Sequence, residues 1–380
     1  MESPFLFGQV VTGEDFTNRQ TEKSVVKSAL LSGNHIILIS PRRYGKSSLI
    51  KGILNELQDN KHQTIMLDLT ASRSEALFLE AFAQQVLNAN SNRAFWKKMS
   101  RILKNIIPTF SMSSGDFGEI ATLSFNWQEK KRTTEEILEL PNLIAKTSGR
   151  HQIIAIDEFQ NIEKFEDPQG LQLQMRAIWQ HHTNVSYCLF GSKRHMMEQI
   201  FTRDTSAFYN FGQVVKLQKI QEKYLVPFIT KKFNQTKKPI QEDLAFRIVK
   251  MMRNHPEYVQ FFSHLLWTSS TGKIQPKQLK KGLKKLMEAT SVHFLDLYDK
   301  LNNTQVKVIK AILNGEQQLT SQNILQTYQL GTSANVVKAL GALRKEDFIE
   351  KKQKNYELIN PAFEFWFRLK ILQEDIFEMA

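Results

Sequence analysis

The sequence predicts an α/β fold: a parallel sheet with helices on both faces, followed by a helical part and a C-terminal winged helix. Apolar, strand-like runs alternate with helical patterns through the first 219 residues, which is typical of parallel sheets. Beyond Lys219 the strand signal fades and helical patterns dominate, at 224–233, 242–253, 257–267 and 276–288. We therefore expect three domains, with boundaries at 1–219, 220–300 and 301–380.

Composition narrows the class of protein. A chain of 380 residues is longer than one hydrophobic core normally serves. No apolar run reaches the roughly 18 to 20 residues that a membrane helix needs, and the N-terminus lacks a signal-peptide pattern. The single cysteine, Cys188, excludes an intramolecular disulfide and fits a reducing compartment. We expect a cytoplasmic protein with no membrane contact.

The positive charge is concentrated in the C-terminal part. The whole chain has 51 basic and 38 acidic residues, a net charge of +13. Residues 217–380 contain 26 of the basic and 16 of the acidic residues, so most of the excess lies there. Such a surplus indicates nucleic acid or another polyanion as a partner, although it can also serve solubility alone.

The strongest motif is a loop between an apolar run and a helical pattern. The run is residues 35–39, the helix begins near Leu49, and the loop reads Ser40-Pro41-Arg42-Arg43-Tyr44-Gly45-Lys46-Ser47-Ser48. A helix N-terminus with free N–H groups binds phosphate, so this setting predicts a nucleotide-binding loop of the P-loop class. Lys46 would reach the β- and γ-phosphates, and Ser47 would offer its hydroxyl to Mg²⁺. Ser40 replaces the usual first Gly and fits only if its φ is not strongly positive.

A second motif places two acids at the end of a buried strand. Residues 151–156 are mostly apolar and lead into Asp157-Glu158. Ligands of open α/β sheets bind at the carboxyl ends of strands. Asp157 is therefore expected at the Mg²⁺ held by Ser47, and Glu158 at the water that attacks the γ-phosphate.

A third polar strand end is Gly191-Ser192, after the apolar run 185–190. Ser192 could reach the γ-phosphate or the attacking water, with Lys193 and Arg194 as weaker candidates. Ser192 could equally be the N-cap of the following helix.

Two further segments have distinct patterns. Alternating residues between turn signals predict a β-hairpin insertion at about 109–127. Near the C-terminus, helices at 304–313, 321–328 and 333–345 precede a hairpin at 348–358, which is the pattern of a winged helix-turn-helix.

The basic part offers two surfaces for a partner. On the third helix of the winged pattern the groove-facing candidates are Thr332, Ser333, Asn335 and Lys338, and the wing carries Lys351, Lys352 and Lys354. The Lys-rich helix at 276–288 and the residues just before it contribute Lys273, Lys277, Lys280, Lys281, Lys284 and Lys285 without an intervening acid. Both are candidates for DNA contact. A protein contact for the winged helix and a solvated face for the Lys-rich helix are the alternatives.

Taken together, the motifs resemble the archaeal-type P-loop ATPases, of the AAA+/STAND branch of additional-strand nucleotidases. The resemblance rests on Phe16-x-Asn18-Arg19-x-x-Glu22, the Ser40–Leu49 loop, Asp157-Glu158-Phe159-Gln160, Gly191-Ser192 and Asn360-Pro361-Ala362-Phe363-Glu364-Phe365-Trp366-Phe367-Arg368. It implies an ATPase core, a helical lid and a winged helix. It also implies metal and catalytic roles for Asp157 and Glu158, a sensor position for Ser192, and Arg19 near the adenine.

These observations lead to three hypotheses. The first is an ATP-hydrolysing switch that uses ATP and Mg²⁺ and acts on DNA or a protein through its basic C-terminal part. The second is a nucleotide-gated DNA-binding or scaffold protein with negligible turnover. The third is a protein-interaction module whose winged helix never meets DNA. A homo-oligomer is also compatible with the sequence.

Overall fold

A computed structural model of the chain describes residues 2–89, 111–115, 118–122 and 130–378. The chain divides into two compact units. We call the first the sheet unit; it consists of Arg19–Arg42 and Lys46–Leu217. We call the second the helical unit; it consists of Met1–Asn18, Arg43–Gly45 and Gln218–Ala380. The three-domain division stays a prediction.

Strands and helices alternate in the sheet unit, as expected for a parallel sheet. In chain order they are α1 (Gln20–Leu31), β1 (Ile36–Ile39), α2 (Lys46–Leu57), β2 (His62–Asp68), α3 (Glu75–Asn88), β3 (Ser111–Gly115), β4 (Gly118–Thr122), α4 (Lys130–Ser148), β5 (His151–Asp157), α5 (Pro168–Trp179), β6 (Val185–Gly191), α6 (Arg194–Thr202) and β7 (Gln213–Lys216). A short 3₁₀ turn, Phe159–Lys164, follows β5.

The central sheet has five strands in the order β2-β5-β6-β1-β7. Every neighbouring pair is parallel, which confirms the predicted α/β class. All residues of β1 and β6 are buried, because helices cover both faces of a parallel sheet. Strand β6 lies between β1 and β5, so the strand that precedes the phosphate loop and the strand that ends in Asp157 flank the strand that leads to Ser192.

Three predicted segments of the sheet unit can be compared with the structure. The predicted hairpin is present as the antiparallel pair β3–β4, with Ser111 opposite Thr122. Helix α4 begins at Lys130 rather than Thr134 and continues through Pro141 as one element. One or two amphipathic helices are predicted for residues 75–107. Helix α3 accounts for the first part of this segment, and the remainder, after residue 89, lies outside the described residues.

The helical unit contains eight α-helices among the residues described, one short 3₁₀ turn (Gly13–Asp15) and one hairpin. The α-helices and strands are α7 (Glu222–Asn234), α8 (Glu242–Met251), α9 (Pro256–Thr268), α10 (Lys277–Asp299), α11 (Asn303–Leu313), α12 (Gln322–Thr327), α13 (Ser333–Lys345), β8 (Ile349–Lys352), β9 (Asn355–Leu358) and α14 (Pro361–Lys370). Helix α10 runs eleven residues past the predicted end at Glu288, since neither Gly nor Pro interrupts the segment up to Asp299. In the described part of the chain, no helix is long and apolar enough to cross a membrane.

The C-terminal winged helix is confirmed. Helices α11, α12 and α13 precede the antiparallel pair β8–β9, in which Ile349 lies opposite Leu358. Asn302 begins α11 with a capping box, in which its side chain accepts from the Gln305 N–H and the Gln305 side chain accepts from the Asn302 N–H. The buried side chains of α13 and α14, such as Leu343 and Phe367, belong to the core of this unit.

Candidate nucleotide-binding site

The phosphate loop has the predicted strand–loop–helix setting. β1 is buried along its whole length, and α2 begins at Lys46. Ser40 is fully buried, its hydroxyl donates to the Pro41 carbonyl at 2.9 Å, and its φ is not positive. Positive φ values occur instead at Arg43 (66°) and Gly45 (83°). The Ser in place of the first Gly is therefore accommodated without backbone strain.

The middle of the loop, Arg43–Gly45, groups with the helical unit. Arg43 donates from Nη1 to the Tyr258 hydroxyl at 2.8 Å, and its Nε lies 3.4 Å from Glu257 Oε1. Tyr44 is 3% exposed and meets the His255 ring edge-on. Both side chains are predicted to be part of the nucleotide-binding loop. Arg43 thus contacts α9, and Tyr44 contacts His255, the residue before α9.

Lys46 and Ser47 meet the acids that end β5. Lys46 Nζ lies 2.6 Å from Glu158 Oε1 and 3.1 Å from Asp157 Oδ1. The Ser47 hydroxyl donates to Asp157 Oδ2 at 2.6 Å. Two motifs separated by about 110 residues in the sequence therefore form one cluster, as the strand-end argument predicts.

Ser192 lies beside these acids and does not cap a helix. Its hydroxyl donates to Glu158 Oε2 at 2.7 Å, and its backbone N–H donates to the same oxygen at 3.4 Å. The following helix, α6, has Lys193 as its N-cap, with no side-chain cap bond. Of the two interpretations left open by the sequence, the N-cap is wrong, and contact of Ser192 with the γ-phosphate or the attacking water stays a prediction.

The cluster has an uneven charge environment. Burial raises the pKa of Asp157 above its ordinary value, and Lys46 offsets only part of this effect. Burial also acts to raise the pKa of Glu158, but Lys46 and the hydrogen bonds from Ser192 and Gln160 outweigh it, so that this pKa lies below its usual value. Glu158 is held as a carboxylate in a backbone conformation, φ 51°, that is unusual for a residue other than Gly.

The oxygen atoms at Ser47 and Asp157 fit Mg²⁺. A hydroxyl and a carboxylate oxygen only 2.6 Å apart are hard ligands of the kind Mg²⁺ takes, with phosphate and water completing its coordination. No group of three or more His, Cys, Asp and Glu side chains able to hold a metal occurs within the described ranges. The site therefore suits an ion that arrives with a phosphate ligand.

The remaining predicted nucleotide-binding residues, three in the loop and Arg19 before α1, differ in how far they are buried. Pro41 and Ser48 are buried and Arg42 is exposed. Arg19 is 2% exposed with φ 75°, and its Nη1 donates to Glu22 at 2.9 Å. This buried position is compatible with the role near the adenine that the resemblance implies, which stays a prediction.

Sequence reasoning gave no role to Gln160. Its side chain is 1% exposed and donates from Nε2 to Glu158 Oε2 at 2.5 Å. The signal was available, because a polar residue two positions after an acid at a strand end can turn back towards it.

The candidate DNA-contact residues are mostly on the surface. Ser333, Asn335 and Lys338 are exposed on α13, whereas the Thr332 side chain accepts from the Asn335 N–H and so caps the helix. On the wing, Lys352 pairs with Glu357 at 2.5 Å, while Lys351 and Lys354 are exposed. The lysines of α10 and the preceding loop are exposed apart from the half-buried Lys285.

Comparison with known proteins gives two family matches. Residues 31–199 match the model of an AAA domain, and residues 292–369 match that of a probable winged helix domain. A search of curated proteins finds no match.

Solved structures share the fold at low identity. The Walker-type ATPase PABY2304 of Pyrococcus abyssi is 17% identical, with a TM-score of 0.69 over 96% of this chain and 99% of that one. The ORC2 protein of Aeropyrum pernix, solved in ADPNP–ADP complexes, is 11% identical, with a TM-score of 0.58 over 92% of each chain. At these identities the likeness concerns the fold.

The AAA match covers the phosphate loop, the acidic strand end and Ser192, and the second match covers the three helices and the wing. The STAND branch stays a prediction. Residues 31–199 thus form an AAA domain of the P-loop ATPase class, joined to a C-terminal winged helix, and the resemblance to P-loop ATPases is confirmed for these two parts of the chain.

Proposed function

We propose that this protein is an Mg²⁺-dependent ATPase that acts as a molecular switch, coupling its nucleotide state to a DNA contact made by its basic C-terminal part. The observation that carries the proposal is the cluster of Lys46 and Ser47 with Asp157 and Glu158. A basic surface loop would not require a buried lysine that contacts two carboxylates at the end of a buried parallel strand.

Each side chain of the cluster has a role in phosphoryl transfer. Lys46 neutralises phosphate charge. The phosphates compete with Glu158 and Asp157 for its ammonium group. Ser47 and Asp157 would hold Mg²⁺, which would neutralise charge on the phosphates. Glu158 accepts a hydrogen bond from the attacking water and takes its proton as the water oxygen bonds to the γ-phosphorus, the bond from that phosphorus to the bridging oxygen breaks, and ADP leaves. The Ser192 hydroxyl remains hydrogen-bonded to Glu158 Oε2 during this step.

Two substitutions separate binding from turnover. Lys46→Ala should abolish ATP binding, because it removes the only lysine in contact with the acids among the described residues. Glu158→Gln should preserve binding and reduce kcat by about 100-fold or more, since the amide cannot take a proton. Lys51→Ala, an exposed lysine on the same helix α2, is the control and should behave as wild type.

Fluorescent-nucleotide titration and steady-state phosphate release measure the two effects. Equal phosphate release by wild type and Glu158→Gln would refute the catalytic role of Glu158. ATP binding by the unmodified protein without phosphate release, with or without DNA, would favour the alternative of a nucleotide-gated scaffold.

Support for DNA as the partner comes from charge and exposure. The part of the chain after residue 216 carries most of the net positive charge. On the winged helix, Lys338 and the wing residues Lys351 and Lys354 are exposed. On α10, Lys277, Lys280, Lys281 and Lys284 are exposed as well. A winged helix with basic side chains on its third helix and wing suits a DNA groove and its flanking phosphates.

A specific observation favours a protein partner as the second candidate. The third helix, α13, also exposes Ala334, Val337 and Gly341, at the spacing of one helix face. Val337 is 61% exposed. An exposed apolar side chain such as Val337 suits the apolar centre of a protein interface at least as well as base edges.

Salt dependence separates the two partners. DNA affinity measured in gel-shift or anisotropy assays should fall steeply with added salt, and Lys338→Ala with Lys351→Ala should flatten that slope by about one or two phosphate contacts. Lys231→Ala, an exposed lysine on α7, is the matched control. Weak DNA binding with no salt slope would favour the protein partner.

A further inference from the structure

The two carboxylate oxygens of Glu158 have different partners. Oε2 accepts from the Gln160 side chain at 2.5 Å and from the Ser192 hydroxyl at 2.7 Å. Oε1 lies 2.6 Å from Lys46 Nζ. One oxygen is thus held by two neutral donors on the sheet unit, and the other by a charge that phosphate attracts.

Gln160 is tightly enclosed at its position. The side chain belongs to the 3₁₀ turn that follows β5 and packs against the backbone of Gly191, the last residue of β6. A Cβ atom at Gly191 would lie 1.9 Å from Gln160 Oε1, so a larger residue at position 191 would force the Gln160 amide out of its present place. Gly191 does not have a positive φ, and its lack of a side chain therefore matters for space rather than for backbone conformation.

The orientation of the Gln160 amide is set by Glu158. Gln160 Oε1 is buried and has no hydrogen-bond partner among the residues that the structure describes. A buried carbonyl without a partner is unfavourable. Turning the amide over would place that carbonyl against the Glu158 carboxylate, where two acceptors would repel each other. The NH₂ group is therefore the end of the amide that faces Glu158.

We propose that Gln160 is a positioning residue for ATP hydrolysis, which together with Ser192 anchors Glu158 Oε2 so that Oε1 is the oxygen presented to the attacking water. This inference rests on the proposed ATPase function. As phosphate draws Lys46 away, Oε1 gains a free lone pair while Oε2 stays in place, and the carboxylate does not rotate. Gln160 touches neither phosphate nor water in this scheme and acts only through Glu158.

The chain offers a matched control for this role. Gln172 is 5% exposed, lies in the same unit, and donates from Nε2 to Glu163 Oε1 at 2.6 Å. Gln160→Met and Gln172→Met therefore remove the same kind of bond at similar burial with similar side-chain volume. Only the first removes a donor to the acid of the cluster.

The test compares the two variants in the full chain by ATP titration, phosphate release and thermal unfolding. Gln160→Met should lower kcat by about 10- to 100-fold, because a misplaced base loses much of its effect. Its Kd for ATP should stay within about twofold of wild type, because Lys46 and the loop are untouched. Gln172→Met should keep the wild-type kcat. Its unfolding temperature should change by about as much as that of Gln160→Met.

Each other result counts against the inference. Wild-type kcat in Gln160→Met would overturn the positioning role alone, as would an equal loss of kcat in both variants. Absence of turnover in the unmodified protein would overturn the proposed function and this inference together. If Gln160→Met does not yield folded protein, Gln160→Ala, which leaves space beside Gly191, is measured with the same expectations.

Discussion

Gly191→Ala tests how closely the two strand ends are packed. The added Cβ would lie 1.9 Å from Gln160 Oε1 and 2.8 Å from Met197 Sδ. Gln160 and Met197 are both almost completely buried, so neither side chain can move out into solvent. Either Gln160 leaves Glu158, or the backbone of β6 shifts.

The size of the effect follows from the packing. Overpacking of a buried site typically costs about 1–3 kcal/mol in the free energy of unfolding. For a unit of about 200 residues, each 1 kcal/mol corresponds to a shift of about 2–4 °C in the unfolding midpoint, so we expect a decrease of about 2–12 °C. If Gln160 moves instead, the decrease is at the lower end and kcat falls, as it does in Gln160→Met.

Calorimetry of the full chain, with phosphate release measured in parallel, distinguishes these outcomes. The double variant Gly191→Ala, Gln160→Ala should recover much of the lost stability, because the amide that meets the new Cβ is gone while Met197 can change rotamer. It should not recover kcat. Wild-type stability together with wild-type kcat in Gly191→Ala alone would refute the proposed contact between Gly191 and Gln160.

Two further predictions concern stability. Burial lowers the pKa of His35 to about 4. Between pH 6.5 and 4 the unfolded chain therefore binds a proton that the folded chain does not. The free energy of unfolding should decrease as the pH is lowered through this range, by up to about 1.4 kcal/mol per pH unit. His35→Phe should reduce this slope in urea titrations at pH 7 and pH 5, and an unchanged slope would contradict the assignment. Asn302→Ala should destabilise the winged helix by about 1 kcal/mol through loss of the capping box, measured by thermal unfolding against Asn303→Ala as the control.

The sequence predicted the site where local pattern and sheet topology act together. The order Gly45-Lys46-Ser47 after an apolar strand predicted the loop, and the rule that ligands bind at strand ends predicted its meeting with Asp157 and Glu158. Both features are local in sequence or follow from a parallel sheet. The winged helix was predictable for a similar reason, because three helices and a hairpin follow one another without interruption.

What the sequence did not reveal depends on contacts between distant residues. Ser192 can use its hydroxyl for a helix cap or for an acid, and only the position of Glu158 decides between them. The interaction of Arg43 with Tyr258 joins residues far apart in the chain and leaves no periodic signal. The proximity of Gln160 to Glu158 has a local signal in the sequence, but the narrow space that Gly191 leaves for the Gln160 side chain does not.

Ser40 has a consequence for recognising such loops in other sequences. A pattern that demands glycine at the first position would reject this chain, although its strand, loop and helix are in the expected order. The backbone shows why that demand is too strict here: the left-handed residues are Arg43 and Gly45, and Ser40 is not among them. A search defined by backbone conformation, with Gly-Lys-Ser at the helix start, would retain this loop, whereas a search defined by the first glycine would lose it.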